Sequence, residues 1–381
     1  MFKYPPVIFL LVWLSVLLLA AMDMSYLIIP LRTETVTLVV TSSLLMFLGF
    51  FLCLFIFNLS IKNVDEGIYF KIFSRRKFER RLGIVFYFWL FGSAIELIYS
   101  GNLPLVSAFG IGRNVRYTEY GIPGFHGLMN SIYFLLVVVY FSAYLITHKK
   151  KYLVIFIFTF ILQTFQLSRM ILMASILQSI FVYLLIRSVS VRTFLKITFL
   201  LLATFWLFGV LGDLRTGRDA IIGLANLKID YPDWMPSFII WVYIYIVSPI
   251  NNINSNIDVF NIGFIPYNSL SQVLPSFFRG EFSSVNDEFE LVATALNVNS
   301  LFYPLLLDFG KNVAPFFFFF AGFASAIVSL KSRYKPQYFV ASVIFLYTIL
   351  QSVFANHMIH IVFISEFILA ALFFRGLNAR D

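Results

Sequence analysis

At 381 residues, 60% hydrophobic and only 12% charged, with a mean hydropathy of +0.88, the chain has too little polar surface for a soluble protein of its size. Its formal net charge of +9 would suit a nucleic-acid partner, but the basic residues gather in short segments between apolar runs, the orientation signal of a membrane protein, which argues against nucleic acid. The single cysteine, Cys53, excludes an intramolecular disulfide and a thiolate metal cluster.

The first element, MFKYPPVIFLLVWLSVLLLAAMDM, has one lysine ahead of an apolar run longer than a signal-peptide core, and reads as a retained transmembrane helix over 5–22. Further spans follow near 36–58, 82–99, 128–147, 152–167, 170–186, 196–211, 312–330, 338–356 and 359–374. That makes about ten, each close to the length that crosses ~30 Å of hydrocarbon. The pattern predicts an all-α polytopic membrane protein, one integral domain over 1–381 with a large loop subdomain over 212–311.

Lys71, Arg75, Arg76, Lys77, Arg80 and Arg81 fall on one side of these spans, with Lys149 to Lys151, Arg187 to Lys196 and Lys331 to Lys335. The positive-inside rule makes that side the cytoplasm, and an even number of spans puts both termini there. The other side carries 101–127, a short turn over 166–169, and 212–311. Within the last, MPSFIIWVYIYIVSPI at 235–250 is apolar enough to cross. A crossing there would set Lys311 and the Lys331 to Lys335 cluster on conflicting sides, so the stretch reads as an interfacial or re-entrant helix. The run Phe316 to Phe320, beside Ala321, Gly322, Ala324 and Ala326, reads as ordinary helix packing.

Cations on the outer side are mainly arginine: Arg113, Arg116, Arg169, Arg215, Arg218 and Arg279, with Lys228 and Lys311 as the main exceptions. A guanidinium is a planar fork that binds phosphate oxygens two at a time, so this set fits a pyrophosphate-bearing ligand. The alternative is that each is an interfacial anchor or pairs with a nearby acid, as Arg215 could with Asp213 or Asp219. The strongest local motif is GRNVRYTEYGIPGFHG over 112–127, which joins Arg113 and Arg116 to Glu119, a Gly-Ile-Pro-Gly turn and His126 just ahead of a span. Imidazole can act as a general base near neutral pH. Read without function, the same stretch is a polar loop closed by turn residues.

Arg169, at the edge of a tight helical hairpin, needs a partner or ligand, and as an ionisable group within the membrane it is a functional candidate; Glu96 and Glu366 have the same status, though either could simply neutralise an arginine. His357 and His360 share a helical face, but the sequence fixes no third metal ligand, so no metal is assigned. The acids of 212–311, with Tyr231, Trp234, Trp241, Tyr243, Asn251, Asn252 and Asn254, suit sugars, whose hydroxyls need acceptors and whose C–H faces pack on rings. Ordinary surface acids would look the same. Asp287, Glu288 and Glu290 match no EF-hand loop.

With these residues in place the chain resembles bacterial O-antigen polymerases, the Wzy-type oligosaccharide repeat-unit polymerases. The resemblance runs over essentially the whole length: Phe- and Ile-rich spans, the arginine loop ending in GIPGFHG, the pair Ser168 and Arg169, and a long outer loop closing with NSLFYPLLLDFG at 299–310. It implies a glycosyltransferase C-like fold in the branch shared with O-antigen ligases, in a bacterial inner membrane with the large loop periplasmic. It also implies transfer of a growing glycan from undecaprenyl pyrophosphate to a sugar hydroxyl of another lipid-linked repeat unit, without a cofactor and with a chain-length regulator protein as a candidate partner. Arg113 and Arg116 match the arginines of the family's earlier loop and Arg169 its Ser-Arg site. Arg215, Arg218 and Arg279 match the long-loop arginines less closely, since Gly223 follows Arg218 sooner than Gly124 follows Arg113.

Breaking the anomeric bond puts negative charge on the departing pyrophosphate, which fixed guanidinium groups stabilise. The expected catalytic set is His126 as base, with Asp308 or Glu119 as the alternatives, together with Arg169 and Arg215. Arg113, Arg116, Glu119, Arg218, Arg279 and Tyr243 are expected to hold substrate. Two rival classes remain: a lipid-linked oligosaccharide flippase, whose polar residues would line both halves of the membrane, and a membrane scaffold or sensor, whose long loop would bind partners; an O-antigen ligase, which differs in acceptor, is the closer alternative within the enzyme class.

Overall fold

The apolar, 3.6-periodic sequence folds into helices at every one of the expected stretches. The computed structural model describes residues 4–377 apart from 59, 62, 189, 261–265, 275–277 and 279–288, and leaves out the side chains at 169, 207, 208, 211, 212 and 214–216. In chain order the helices are α1 (Pro5–Ala21), α2 (Thr33–Ile56), α3 (Glu66–Phe73), α4 (Arg76–Ser100), α5 (Pro104–Ala108), α6 (Phe125–Thr147), α7 (Lys150–Thr164) and α8 (Arg169–Ile186). Then come α9 (Val191–Thr216), α10 (Arg218–Ala225), α11 (Phe238–Ser255), α12 (Tyr267–Val273), α13 (Phe302–Val313), α14 (Phe316–Lys331), α15 (Pro336–Leu350) and α16 (Ile361–Phe374). No strand occurs among the described residues, only an isolated bridge between Ser25 and Leu227.

Among the described residues, four helices are long and apolar enough to cross a membrane: α2, α4, α6, and α15 with the 3-10 turn Gln351–Val353 that prolongs it. The pair α13 and α14, bent by 113° at the break between them, makes a fifth if it is one broken span. α1, α8 and α16 are apolar but shorter. The protein is thus all-helical with the character of a membrane protein.

α6 is central, because every residue from Met129 to Tyr140 is buried, as expected of a helix that is apolar all round. It packs on α4, α7, α8 and α16, and its rings stack on theirs, Tyr133 on Trp89 and Phe134 on Phe363. α2 and α14 lie unusually close. A Cβ placed on Gly49 would collide with the backbone of Phe319, and one on Gly322 with the backbone of Met46, so only glycine lets these two helices meet.

One end of the bundle collects the basic segments. Arg187 bridges Glu66 at 3.1 Å, and Glu79 takes Lys149 at 3.1 Å and Lys151 at 2.8 Å. Arg81 donates to the carbonyls of Phe373 and Arg375, and the Tyr69 hydroxyl to that of Ser332. The connections α3–α4, α6–α7, α8–α9 and α14–α15 therefore meet the end of α16 in one place. α4, α6, α8, α15 and α16 each run from there to the far end, where Leu105 donates its N–H to Phe165 O and Leu301 its N–H to Ser352 O.

α11 is strapped along the α1–α2 connection at the far end. Met24 N–H donates to the Tyr243 hydroxyl, Ile29 N–H to Asn251 Oδ1 and Arg32 N–H to Asn254 Oδ1, while both asparagines return a bond to carbonyls of the same connection. Asn252 and Asn256 bind the backbone of 290–298 in the same way. These asparagines order connecting backbone that would otherwise lack partners.

The stretch before α14 differs from the sequence expectation. Instead of loop leading into a single span, the apolar residues 302–309 are helical, and the chain turns at Gly310, whose φ of 70° favours glycine. Asp308 is carried on that helix.

Candidate functional site

α4 ends at Gly101, in the left-handed region at φ 77°, and releases the loop that returns at α6. Asn102 folds that loop on itself: its Nδ2 donates to Ile111 O at 2.7 Å and Arg113 O at 2.8 Å, and Ser107 Oγ adds a bond to Arg113 O at 2.8 Å. Val115 and Tyr120 are buried and pin the loop, which leaves Arg113, Arg116 and Glu119 exposed at its surface. Neither arginine has an ion-pair partner among the described residues.

Beneath the loop, His126 in the first turn of α6 meets Glu96 in the last turns of α4, with Nδ1 2.9 Å from Oε1. A carboxylate only accepts, so Nδ1 donates in this contact and Nε2 is the ring's other nitrogen. Glu96 is fully buried and spends one oxygen on the histidine; its Oε2 has no partner among the described residues. Gly121 crosses directly over the pair at φ 89°, its N–H on Ser100 Oγ. A Cβ there would lie 2.6 Å from His126 Nδ1 and 2.7 Å from Glu96 Oε1, so glycine is required both by conformation and by space. Tyr120 packs edge-on against the imidazole, and its phenol is pushed up to about 12 by burial and then by the Glu96 charge. It therefore stays un-ionised beside the histidine.

The first turns of α6, α8 and α16 all lie at this end. Gly127 approaches Val362, joining α6 to α16, and Ser175 Oγ bonds the Tyr133 hydroxyl at 2.9 Å, joining α8 to α6. Helix N-termini carry the positive end of the dipole, so three of them at one end of the bundle favour an anion there.

His126, Arg113, Arg116 and Glu119 thus belong to one loop and the helix start it leads into, with Arg113, Arg116 and Glu119 exposed on the loop. Arg169 opens α8 at the same end and Arg215 lies in the last turn of α9, but the side chains of both fall outside the described residues, as does Arg279 entirely. Arg218 lies elsewhere on this end, with its guanidinium spent on the carbonyls of Asp233 at 2.8 Å and Pro232 at 2.9 Å. Tyr243 is buried, its hydroxyl taken by Met24. Asp308 is fully buried and caps α12, accepting from the backbone of Asn268 and Ser269 and from the Asn268 amide.

Neither Glu96 nor Glu366 meets an arginine among the described residues: Glu96 holds His126, and Glu366 accepts from Gln178 on α8 at 3.1 Å. The pairing of Glu96 with His126 is the feature that motif reading missed. Its only sequence signal is an acid four residues before Ser100 at the end of an apolar helix, followed by a glycine-turned loop that ends in histidine. His357 is buried against Tyr347 and Phe363, and among the described residues no group of three His, Cys, Asp or Glu side chains could hold a metal. Compared with protein-family models, curated proteins and solved structures, the chain matches none.

Proposed function

We propose that the chain is an O-antigen polymerase of the Wzy type, a glycosyltransferase that moves a growing glycan from undecaprenyl pyrophosphate to a sugar hydroxyl of another lipid-linked repeat unit. In this reading the ten helices on the apolar stretches cross a bacterial inner membrane, both termini are cytoplasmic and the 212–311 subdomain is periplasmic. The bundle then belongs with the glycosyltransferase C branch that includes the ligases.

The observation that carries the reading is the bond of His126 to the buried Glu96 under the loop that carries Arg113 and Arg116. Glycosyl transfer needs a base for the acceptor proton and cations for the departing diphosphate, in one place. His126 Nε2 takes the hydroxyl proton as the acceptor oxygen forms its bond to the anomeric carbon, and the anomeric C–O bond to the diphosphate breaks. Glu96 stabilises the imidazolium that results, as the acid does in a catalytic triad. The arginines and the helix N-termini take up the charge that grows on the leaving group. Base and cations gathered at one end favour an enzyme over a flippase, whose polar residues would continue through the membrane.

The test is surface glycan analysis in a polymerase-deleted strain. Wild-type protein should restore long polysaccharide, and His126→Ala or the double variant Arg113→Ala/Arg116→Ala should leave one repeat unit on the lipid A-core. Full-length polysaccharide from both variants overturns the assignment, and unmodified core with accumulating polymer in the deletion strain makes the protein a ligase.

A further inference from the structure

At the opposite end, the corner between α3 and α4 carries cations that pair with no acid among the described residues. Glu66 is held by Arg187, and Glu79 by Lys149, Lys151 and the Tyr152 hydroxyl. Lys71, Arg76 and Arg80 are exposed and form no ion pair among the described residues. Their position along α4 says what they face. Arg76 and Arg80 stand on the same helical stripe as Ile84, Tyr87, Phe91 and Ile98, all exposed, with Ile98 at 80%.

That stripe is the surface α4 offers to hydrocarbon. At about 1.5 Å of rise per residue, Arg80 lies ~6 Å and Arg76 ~12 Å beyond Ile84, which is headgroup depth for a helix whose apolar belt begins at Ile84. α3 extends the surface sideways. Its buried face, Tyr69, Ile72 and Phe73, anchors it to the bundle, while Phe70, half-exposed, and Lys71 face outward together. A half-exposed ring next to unpaired cations at the edge of an apolar belt fits the interfacial region of a bilayer.

We propose that the α3–α4 corner is a docking site for anionic phospholipid headgroups, with Arg76 and Arg80 binding phosphodiester oxygens and Lys71 adding its charge. The guanidinium fork matches two phosphate oxygens, and the uncompensated charge selects anionic over zwitterionic lipid. This inference rests on α4 crossing a membrane and is independent of glycosyl transfer.

The experiment reconstitutes the full-length protein in nanodiscs of phosphatidylcholine with phosphatidylglycerol, then counts the phospholipids retained on extraction by mass spectrometry. Phosphatidylglycerol should be enriched over its share of the mixture. In the variant Lys71→Gln/Arg76→Gln/Arg80→Gln that enrichment should fall by about fivefold per cation removed, whereas Lys71→Arg/Arg76→Lys/Arg80→Lys should keep most of it. Unchanged enrichment in the glutamine variant overturns the proposal. So does competition by millimolar inorganic phosphate, which would make the corner a site for soluble anions. Should the glutamine variant fail to fold, wild-type protein in ~1 M salt decides, because screening at that strength should abolish the selectivity and its persistence counts against the site.

Discussion

At the end where α3 meets α4, Glu66 and Glu79 are each held by cations and the connecting segments are bonded to one another. At the far end Glu96 holds only a histidine, and Arg113 and Arg116 face outward with no acid among the described residues. The first end has its acids satisfied by partners within the fold. Among the described residues, the second holds a buried carboxylate oxygen with no hydrogen-bond partner and two guanidinium forks with no ion pair. Charge spent internally contributes to holding helices together, whereas charge held out beside helix N-termini awaits a ligand. That contrast is why the far end is the candidate site.

The contrast can be broken most sharply at the dyad. His126→Ala should lower glycan elongation by about 10²–10⁴-fold with the protein still folded in detergent, measured with purified enzyme and lipid-linked repeat units. Glu96→Gln removes the charge that stabilises the imidazolium and should fall in the same direction with a changed pH profile, while a loss of folded protein alone would reduce Glu96 to a structural group. Gly121→Ala should mimic the dyad variants, since its methyl lands on both partners. Smaller is the expected effect of Arg113→Gln/Arg116→Gln, roughly 10–100-fold per arginine if each makes a charge-assisted bond to the diphosphate. The loss should appear with substrates that carry a diphosphate and vanish with ones that lack it.

Asp308→Asn tests the rival base. The substitution weakens the cap on α12 and should cost about 1 kcal/mol in unfolding experiments, with elongation within a few-fold of wild type. A hundredfold loss of rate would transfer the base role from His126 to Asp308. The smallest effect belongs to the basic end: Glu79→Gln releases Lys149 and Lys151, yet should cost no more than about 1 kcal/mol and leave elongation unaltered.

The sorting of cations to one end was legible in the sequence because charge spacing between apolar runs needs no knowledge of packing. So was the arginine loop, whose turn residues announce themselves. The dyad was not, because Glu96 and His126 belong to different helices and nothing in local periodicity says which acid faces which ring. The asparagines of α11 looked like sugar ligands for a related reason. Amide groups serve loops and ligands equally well, and only the fold reveals that Asn251 and Asn254 are taken by the α1–α2 connection. Arg218 reads as a phosphate ligand until its guanidinium is seen on two backbone carbonyls. The bend before α14 was hidden as well, since a glycine within an apolar run fits a straight helix as readily as a corner.

The glycine contact between α2 and α14 bears on how the protein is made. α14 starts 260 residues after α2 ends (Ile56 to Phe316), so α2 leaves the ribosome well before α14 is made. At bacterial translation speeds the earlier helix waits on the order of tens of seconds before its mate exists. Throughout that interval the Gly49 surface, shaped to touch another backbone, has only lipid or the insertion machinery against it. A nascent chain stalled before α14 should therefore be a preferred target for membrane proteases, and a bulky residue at Gly322 should send even the completed polypeptide down the same degradative route.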